Sequence, residues 1–172
     1  MPKSMSAALA AMILVLALAA VAAGPAAASQ RTANEAVMLR LISQVRAQRG
    51  LAPLHLHAAL SRAALAHSRD MMRHHYFSHF SAGGASCSAR LRRAGYSTSG
   101  CRSWAVSEVI GWGKSFAGTP QAVFGSWMRS AYHRSIILGR RWRDVGVGCA
   151  SGTFKGASGS WVYTVDVGRR TR

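Results

Sequence analysis

The chain has 172 residues, with 22 lysines and arginines against five aspartates and glutamates, so its formal net charge is +17. This imbalance predicts attraction to polyanions such as wall polymers, acidic glycans, lipid headgroups or nucleic acid, with a merely solvated basic surface as the alternative. No nucleic-acid-binding motif is visible, so we do not expect specific recognition of nucleic acid.

The first 28 residues have the features of a secretory signal peptide. Lys3 gives a basic start, an apolar run covers residues 7–23, and small alanines occupy positions 26–28. Such a segment is removed on export. A membrane anchor is the alternative, but the run is short and rich in alanine. We therefore predict a secreted protein with one domain over residues 29–172, whose core covers about 32–168.

Two amphipathic helices are predicted at the start of this domain. Apolar residues recur at four-residue spacing over 37–45, and Pro53 lies beyond the end of that helix. A second stripe covers 60–71 and includes His67, which we interpret as a core histidine. The loop after this helix carries His79 between two phenylalanines, as expected for a residue fixed at a pocket wall.

The middle of the chain predicts a short basic helix over 86–94 and then a strand over 104–110. Period-two alternation places Glu108 on the bulky apolar face of that strand, where a carboxylate needs polar partners or a proton. Thr119-Pro120 predicts the start of another helix. That helix should end near Ser130 and place His133 in a turn just beyond it.

Strands at 145–149 and 161–167, joined by a glycine-containing turn, predict a hairpin. Three cysteines are present, and export makes a disulfide plausible. Cys87 and Cys101 flank the short basic helix, so we predict that they pair and leave Cys149 as a small buried residue. Three cysteines allow three pairings, and only chemical mapping distinguishes them.

Two basic clusters are the predicted contact surface for acidic polymers. The first consists of Arg90, Arg92 and Arg93. The second is Arg140-Arg141-Trp142-Arg143, in which an aromatic ring among arginines suits stacking on sugar or base rings.

Seven segments carry a resemblance to a known family. They are 45–54, 77–79, 90–96, 108–113, 127–138, 145–148 and 161–168. In this order they resemble the CAP superfamily, the SCP-like extracellular domains, and above all its bacterial secreted branch. The resemblance implies an α+β fold, a three-layer α-β-α sandwich with a central antiparallel sheet.

The same resemblance implies a cleft lined by two histidines and acidic residues, in which some members bind a divalent metal. His79, Glu108 and His133 match those positions. A second acid of eukaryotic members has no clear match, and Ser130 lies near its expected place. Many relatives also have asparagine where this chain has Val109.

Two functions follow from this resemblance. A non-enzymatic extracellular binding module for a lipid, a cell-wall polymer or a protein is favoured by the positive charge and the missing acid. A metal-dependent hydrolase or protease is the alternative, with zinc held by His79, His133 and Glu108. A hydrogen-bonded cluster without metal is equally compatible with these three residues.

Overall fold

The computed structural model describes residues 25–171. Within this range, five helices cover both faces of one four-stranded sheet. The helices are α1 (Pro25–Ala47), α2 (Ala58–His74), α3 (Cys87–Arg93), α4 (Pro120–Arg129) and α5 (Ala131–Ile137). The strands are β1 (His55–Leu56), β2 (Ser103–Lys114), β3 (Asp144–Phe154) and β4 (Ala157–Thr171), and a 3₁₀ turn, Ser115–Gly118, follows β2. The predicted α+β sandwich is confirmed.

The sheet has the order β1-β3-β4-β2, so β2 is an edge strand. The pairs β2–β4 and β3–β4 are antiparallel, and the predicted hairpin is the β3–β4 pair. Only the two-residue β1 is parallel to its neighbour, β3. The register places Glu108 of β2 directly opposite Asp166 of β4. Because directly paired residues point to the same face, these two acids are neighbours.

One face of the sheet packs on α1, α4 and α5 and holds the larger apolar cluster, which includes Val109 and Trp127. The other face packs closely on α2. A Cβ atom at Gly148 would lie 2.1 Å from the backbone nitrogen of Leu65, and one at Gly146 would be almost as close to the backbone of Leu60. These two glycines therefore let α2 approach β3 and bring the side chains of α2 over the face that carries Glu108.

His133 lies on a helix and not in the turn that the sequence predicted. Ser130 has an extended backbone conformation that ends α4, and its hydroxyl accepts a hydrogen bond from the His133 N–H at the start of α5. A serine in this conformation is a favourable N-cap, so one residue separates two helices. The segment read as a turn followed by an apolar run is therefore mostly helical.

The predicted disulfide between Cys87 and Cys101 is not formed, and all three cysteines are free thiols. Cys87 begins α3 and its sulfur lies 3.4 Å from Asp166 Oδ1, beside Glu108. Cys101 lies just before Ser103, the first residue of β2, whereas Cys87 lies beside Glu108, farther along the same strand. Glu108 lies five positions after Ser103 in the strand, which corresponds to about 16 Å. That separation is too large for a disulfide.

The predicted signal peptide covers residues 1–28, and residues 1–24 lie outside the described range. Residues 25–28 form the first turn of α1, which therefore begins earlier than the sequence pattern suggested. None of the helices within residues 25–171 combines the length and the apolar character needed to cross a bilayer.

Candidate functional site

The centre of the site is the buried carboxylate of Glu108. Its Oε1 accepts a hydrogen bond from His79 Nδ1 at 2.7 Å, and its Oε2 accepts one from Arg90 Nη2 at 2.5 Å. Its cross-strand neighbour Asp166 is buried as well. The polar partners that the sequence required for Glu108 are thus supplied from the loop after α2 and from α3.

The two acids of this centre have opposite pKa shifts. Burial acts to raise the pKa of Glu108, but the hydrogen bond from His79 and the charge of Arg90 outweigh it, so its pKa lies below the usual value. For Asp166, burial and then the negative charge of Glu108 both raise the pKa well above its usual value. These shifts favour the ionised form of Glu108 and the protonated form of Asp166, as expected for two adjacent acids that share one cation.

Arg90 and His67 hold the loop that carries His79. Arg90 donates to the carbonyl of His79 at 2.8 Å and to that of Ala85 at 2.9 Å, in addition to its bond with Glu108. His67 Nε2 donates to the carbonyl of Ser78 at 2.9 Å. Burial lowers the pKa of His67, so its ring is neutral. The buried histidine expected on the α2 stripe thus positions the neighbour of His79.

His79 is the part of this centre that meets solvent, since 44% of its side chain is exposed. Its Nδ1 is bonded to Glu108, which leaves Nε2 available to a ligand. His133 lies on the adjacent α5, where burial and then the charge of His79 lower its pKa. The ring of Tyr132 packs edge-on against that of His133 with centroids 5.6 Å apart.

Three buried or half-buried side chains fix α5, and with it Tyr132 and His133. Arg46 of α1 donates to the carbonyls of Ile137 and Gly139 at its C-terminal end. Trp142 donates to the carbonyl of Ile136 at 2.8 Å, and Arg134 donates back to the carbonyl of Met128 in α4.

A cleft of about 330 Å³ opens in front of Glu108 at the β2 edge of the sheet. Phe80 and Tyr132 are exposed aromatic residues in its lining, with 59% and 66% of their surface accessible. The other lining residues are His79, Ser86, Cys87, Ser88, Val106, Ser107 and Glu108. The cleft thus combines aromatic surface, three serine hydroxyl groups and one imidazole.

His79, Glu108 and His133 do not form a compact three-ligand group. Within residues 25–171, the one set of three metal-capable side chains with ligand atoms within 4.8 Å of one another is Cys87, Glu108 and Asp166. That set does not suit a cation, because the pKa values of Asp166 and of the Cys87 thiol are both raised and Arg90 already pairs with Glu108. The donors open to zinc are the Nε2 of His79 and the ring of His133, with Glu108 behind His79 as its orienting partner.

Ser130 does not replace the missing acid, since its hydroxyl caps α5. The second acid of the centre is Asp166, which the sequence reasoning missed. Its signal was available, since it is an aspartate between two valines, Val165 and Val167, in a predicted strand. Arg90 was also misread, because its charge suggested a surface role while its side chain is buried against Glu108.

Two residues of the predicted polyanion surface are buried and cannot contact a polymer. Arg90 is bonded to Glu108, and Trp142 packs in the core with its indole N–H on the carbonyl of Ile136. The outer side of Trp142 is covered by Arg141, whose guanidinium carbon lies 4.3 Å from the ring centroid. The exposed members are Arg92, Arg93, Arg140, Arg141 and Arg143.

A family model described as CAP, cysteine-rich secretory protein family, matches residues 39–167. The chain belongs to this family.

Its curated relatives include the protein YkwD of Bacillus subtilis, which is described as uncharacterized and is 34% identical over 124 residues. That match covers 71% of this chain and 44% of YkwD. The membrane protein YlbC of the same organism, also described as uncharacterized, is 30% identical over 118 residues, with 69% and 32% covered. The chain thus spans less than half the length of either relative.

Solved structures of CAP and outer-surface proteins share the fold. An extracellular protein with an SCP domain from Bacillus anthracis superposes with a TM-score of 0.66 at 23% identity, covering 83% of this chain and 42% of that one. An outer surface protein from Borrelia burgdorferi gives 0.65 at 14% identity, with 81% and 94% covered. The family and fold expected from the seven segments are confirmed.

Proposed function

We propose that this CAP protein is a secreted, non-enzymatic binding module that holds an acidic cell-wall glycan in the cleft beside His79. The observation that carries the proposal is the state of Glu108. Both of its oxygens are already bonded, to His79 and to Arg90, so it is neither a free general base nor an open metal ligand. Its role is to orient the imidazole of His79, which then offers Nε2 to a ligand.

Other groups in the cleft are also unsuited to nucleophilic catalysis. Burial raises the pKa of Cys87, so its sulfur remains a thiol, and the thiolate is the reactive form of cysteine. His133, the second imidazole of the region, packs against the ring of Tyr132. These features support binding over covalent chemistry.

The lining of the cleft suits a sugar. Phe80 and Tyr132 present exposed aromatic surface to the apolar face of a pyranose ring, and Ser86, Ser88 and Ser107 supply hydroxyl groups for its polar edge. A mostly apolar pocket with a few polar groups is the usual composition of a small-ligand site. Aromatic anchors in such a position commonly dominate binding energy.

The charge distribution favours an acidic glycan over a neutral one. None of the five acids of the chain is fully exposed. Three of them, Glu35, Glu108 and Asp144, are in ion pairs with arginines, and Asp70 is hydrogen-bonded by Tyr76 and the Ala82 N–H. The exposed arginines of α3 and of the loop before β3 are therefore not neutralised by surface carboxylates. Such a surface concentrates polyanions around the protein. Secretion is supported by the relatives described as extracellular and as outer-surface proteins.

Calorimetric titration with an acidic uronic-acid oligosaccharide and a neutral one of equal length tests the proposal. We expect the acidic oligosaccharide to bind more tightly, and its Kd to rise about tenfold in Tyr132→Ala and in Phe80→Ala, since each removes an aromatic anchor. Leu56→Ala, an equally exposed apolar residue on β1, is the matched control and should leave Kd unchanged. Equal losses in all three variants would overturn the assignment to a glycan. So would the absence of binding by either sugar together with tight binding of a lipid or a peptide that Tyr132→Ala abolishes.

A further inference from the structure

The end of the sheet at which β2 finishes carries both lysines of the described chain. Lys114 is the last residue of β2, and Lys155 lies in the turn between β3 and β4. The register pairs Lys114 with Ser160 and Phe154 with Ala157, so both lysines lie at the same end of the sheet. The remaining basic residues of this kind within 25–171 are all arginines.

Two exposed aromatic residues lie beside these lysines. Phe116, in the 3₁₀ turn after β2, is 81% exposed, the highest value among the exposed large apolar residues, and Trp112 is 38% exposed. The Trp112 ring packs edge-on against Phe154 at 5.2 Å, and Lys155 Nζ lies 6.0 Å from the centre of the same Phe154 ring. We call Trp112, Lys114, Phe116 and Lys155 the aromatic–lysine tip.

The backbone holds the tip in this exposed position. A Cβ atom at Gly113 would lie 2.2 Å from the carbonyl oxygen of Ala117, so the 3₁₀ turn folds tightly back on β2. The hydroxyl of Tyr163 donates to the carbonyl of Gly118 at 2.8 Å and fixes the end of that turn. Ser115 and Lys155 have positive φ angles of 49° and 48°, which are uncommon for residues other than glycine. A side chain as apolar as Phe116 is thus kept in water by a defined turn.

From this arrangement we propose that the aromatic–lysine tip docks on the surface of an anionic lipid bilayer. A phenylalanine and a tryptophan at a protruding edge match the headgroup region, where rings bury apolar surface and tryptophan keeps its polar edge wet. Lysine stems follow apolar surface while their ammonium groups reach lipid phosphates. The tip is exposed and carries no acid, so its charge and its aromatic rings match an anionic lipid surface.

This docking is separate from glycan binding, because the cleft opens beside α3 and α5 and shares no residue with the tip. Phe116 would enter the headgroup layer, Trp112 would lie beside it, and the two lysines would contact phosphates. The remaining basic surface would add only a general attraction that salt screens.

Co-sedimentation of the purified protein with phosphatidylcholine vesicles, with and without phosphatidylglycerol, tests the proposal at about 0.1 M salt. We expect binding that depends on phosphatidylglycerol and falls about tenfold in Phe116→Ser, since a buried phenylalanine contributes at least that factor. The double variant Lys114→Gln/Lys155→Gln should lose the preference for phosphatidylglycerol.

Matched controls separate the tip from the general charge of the protein. Arg140→Gln/Arg141→Gln removes two equally exposed charges elsewhere, and Leu56→Ser removes an exposed apolar side chain; each should change vesicle binding less than twofold. Wild-type binding by Phe116→Ser, or equal losses in the arginine and lysine double variants, would overturn the proposal. The tip variants should still bind the acidic oligosaccharide, and Tyr132→Ala should still bind vesicles.

Discussion

At the scale of single residues, Asp166 sets the pH dependence of stability. Burial and the charge of Glu108 raise its pKa, so the folded protein keeps a proton that an unfolded aspartate releases near pH 3.9. The folded state thus binds the extra proton, and the free energy of unfolding falls as pH rises above about 4 until the raised pKa is reached. That decline has a slope of about 1.4 kcal/mol per pH unit.

We therefore predict that Asp166→Asn, whose amide can still donate to Glu108, removes this decline and stabilises the protein at neutral pH. Asp70→Asn is the comparison with opposite sign. Burial opposes ionisation of Asp70, but hydrogen bonds from Tyr76 and the Ala82 N–H hold its pKa low. Ionised Asp70 therefore stabilises the protein above the pKa of an unfolded aspartate. This stabilisation is lost as the pH falls through the lower pKa that Asp70 has in the folded protein. Urea denaturation measures both effects, between pH 4 and 8 for Asp166→Asn and below about pH 4 for Asp70→Asn. An unchanged slope in Asp166→Asn would contradict the raised pKa of Asp166.

Arg90 is the second residue with a clear expected effect. Arg90→Met leaves the buried carboxylate of Glu108 without its cation and frees the carbonyls of His79 and Ala85. We expect a loss of about 3–5 kcal/mol in the free energy of unfolding, as for other broken buried ion pairs. Arg93→Met, on the exposed side of the same helix, should change it by about 0.5 kcal/mol or less. Equal small effects in denaturant titrations would show that the Arg90–Glu108 pair is not formed.

The candidate site was only partly predictable at this scale. Glu108 stood out because a carboxylate interrupted an apolar face, and its bond to His79 followed the expected need for a donor. Asp166 and Arg90 could not be assigned to the site from local patterns, because strand register and helix orientation bring them to Glu108. Charge alone placed Arg90 on the surface, where arginine is usually found.

At the scale of elements, α2 packs closely on β3 through two glycines of that strand. Gly148→Ala would place a methyl group 2.1 Å from the backbone nitrogen of Leu65, so α2 would have to move away from the sheet. We expect a loss of about 1–3 kcal/mol, or more, in the free energy of unfolding. Gly83→Ala is the control, since its Cβ would meet no atom within 4 Å. Thermal unfolding followed by circular dichroism measures both, and a stable Gly148→Ala variant would contradict this packing.

Most helices and strands were predictable because their signals are local. The Thr119-Pro120 start of α4 and the alternation of β2 are visible over a few residues, and both are present in the fold. The break between α4 and α5 was not resolved, because Ser130 ends one helix and caps the next within a single position. The disulfide prediction was wrong because the spacing of Cys87 and Cys101 in the sequence does not show where the fold places them. Cys87 packs beside Glu108 in the middle of β2, and Cys101 lies near the start of that strand.

At the scale of the whole molecule, most arginines of residues 25–171 lie at the surface, whereas none of the five acids is fully exposed. The sequence predicted the excess charge but not the pairing of the acids, which depends on tertiary contacts. It also predicted a basic patch around Trp142, whereas the fold buries that ring and leaves the aromatic surface at the cleft and at the tip. The polymer-binding hypothesis therefore moves from Trp142 to Phe80 and Tyr132.

The choice between a binding module and a hydrolase is the central question at this scale. A hydrolase needs a free base or an open metal ligand, and Glu108 provides neither while its oxygens are bonded to His79 and Arg90. Within the cleft region, the imidazoles of His79 and His133 are the donors that we expect zinc to use. His79→Ala and His133→Ala should each weaken zinc binding in calorimetry, and His74→Ala should not.

The most direct measurement is product analysis by mass spectrometry after incubating the protein with the acidic oligosaccharide and a peptide library, each with and without zinc. We predict that the oligosaccharide is recovered uncleaved from a complex with the protein and that the peptides are unchanged. Much less of the oligosaccharide should be recovered with Tyr132→Ala. Cleavage of the oligosaccharide or of a peptide that requires zinc and is absent in His79→Ala would contradict a non-enzymatic binding role. It would identify the cleft as a hydrolytic site.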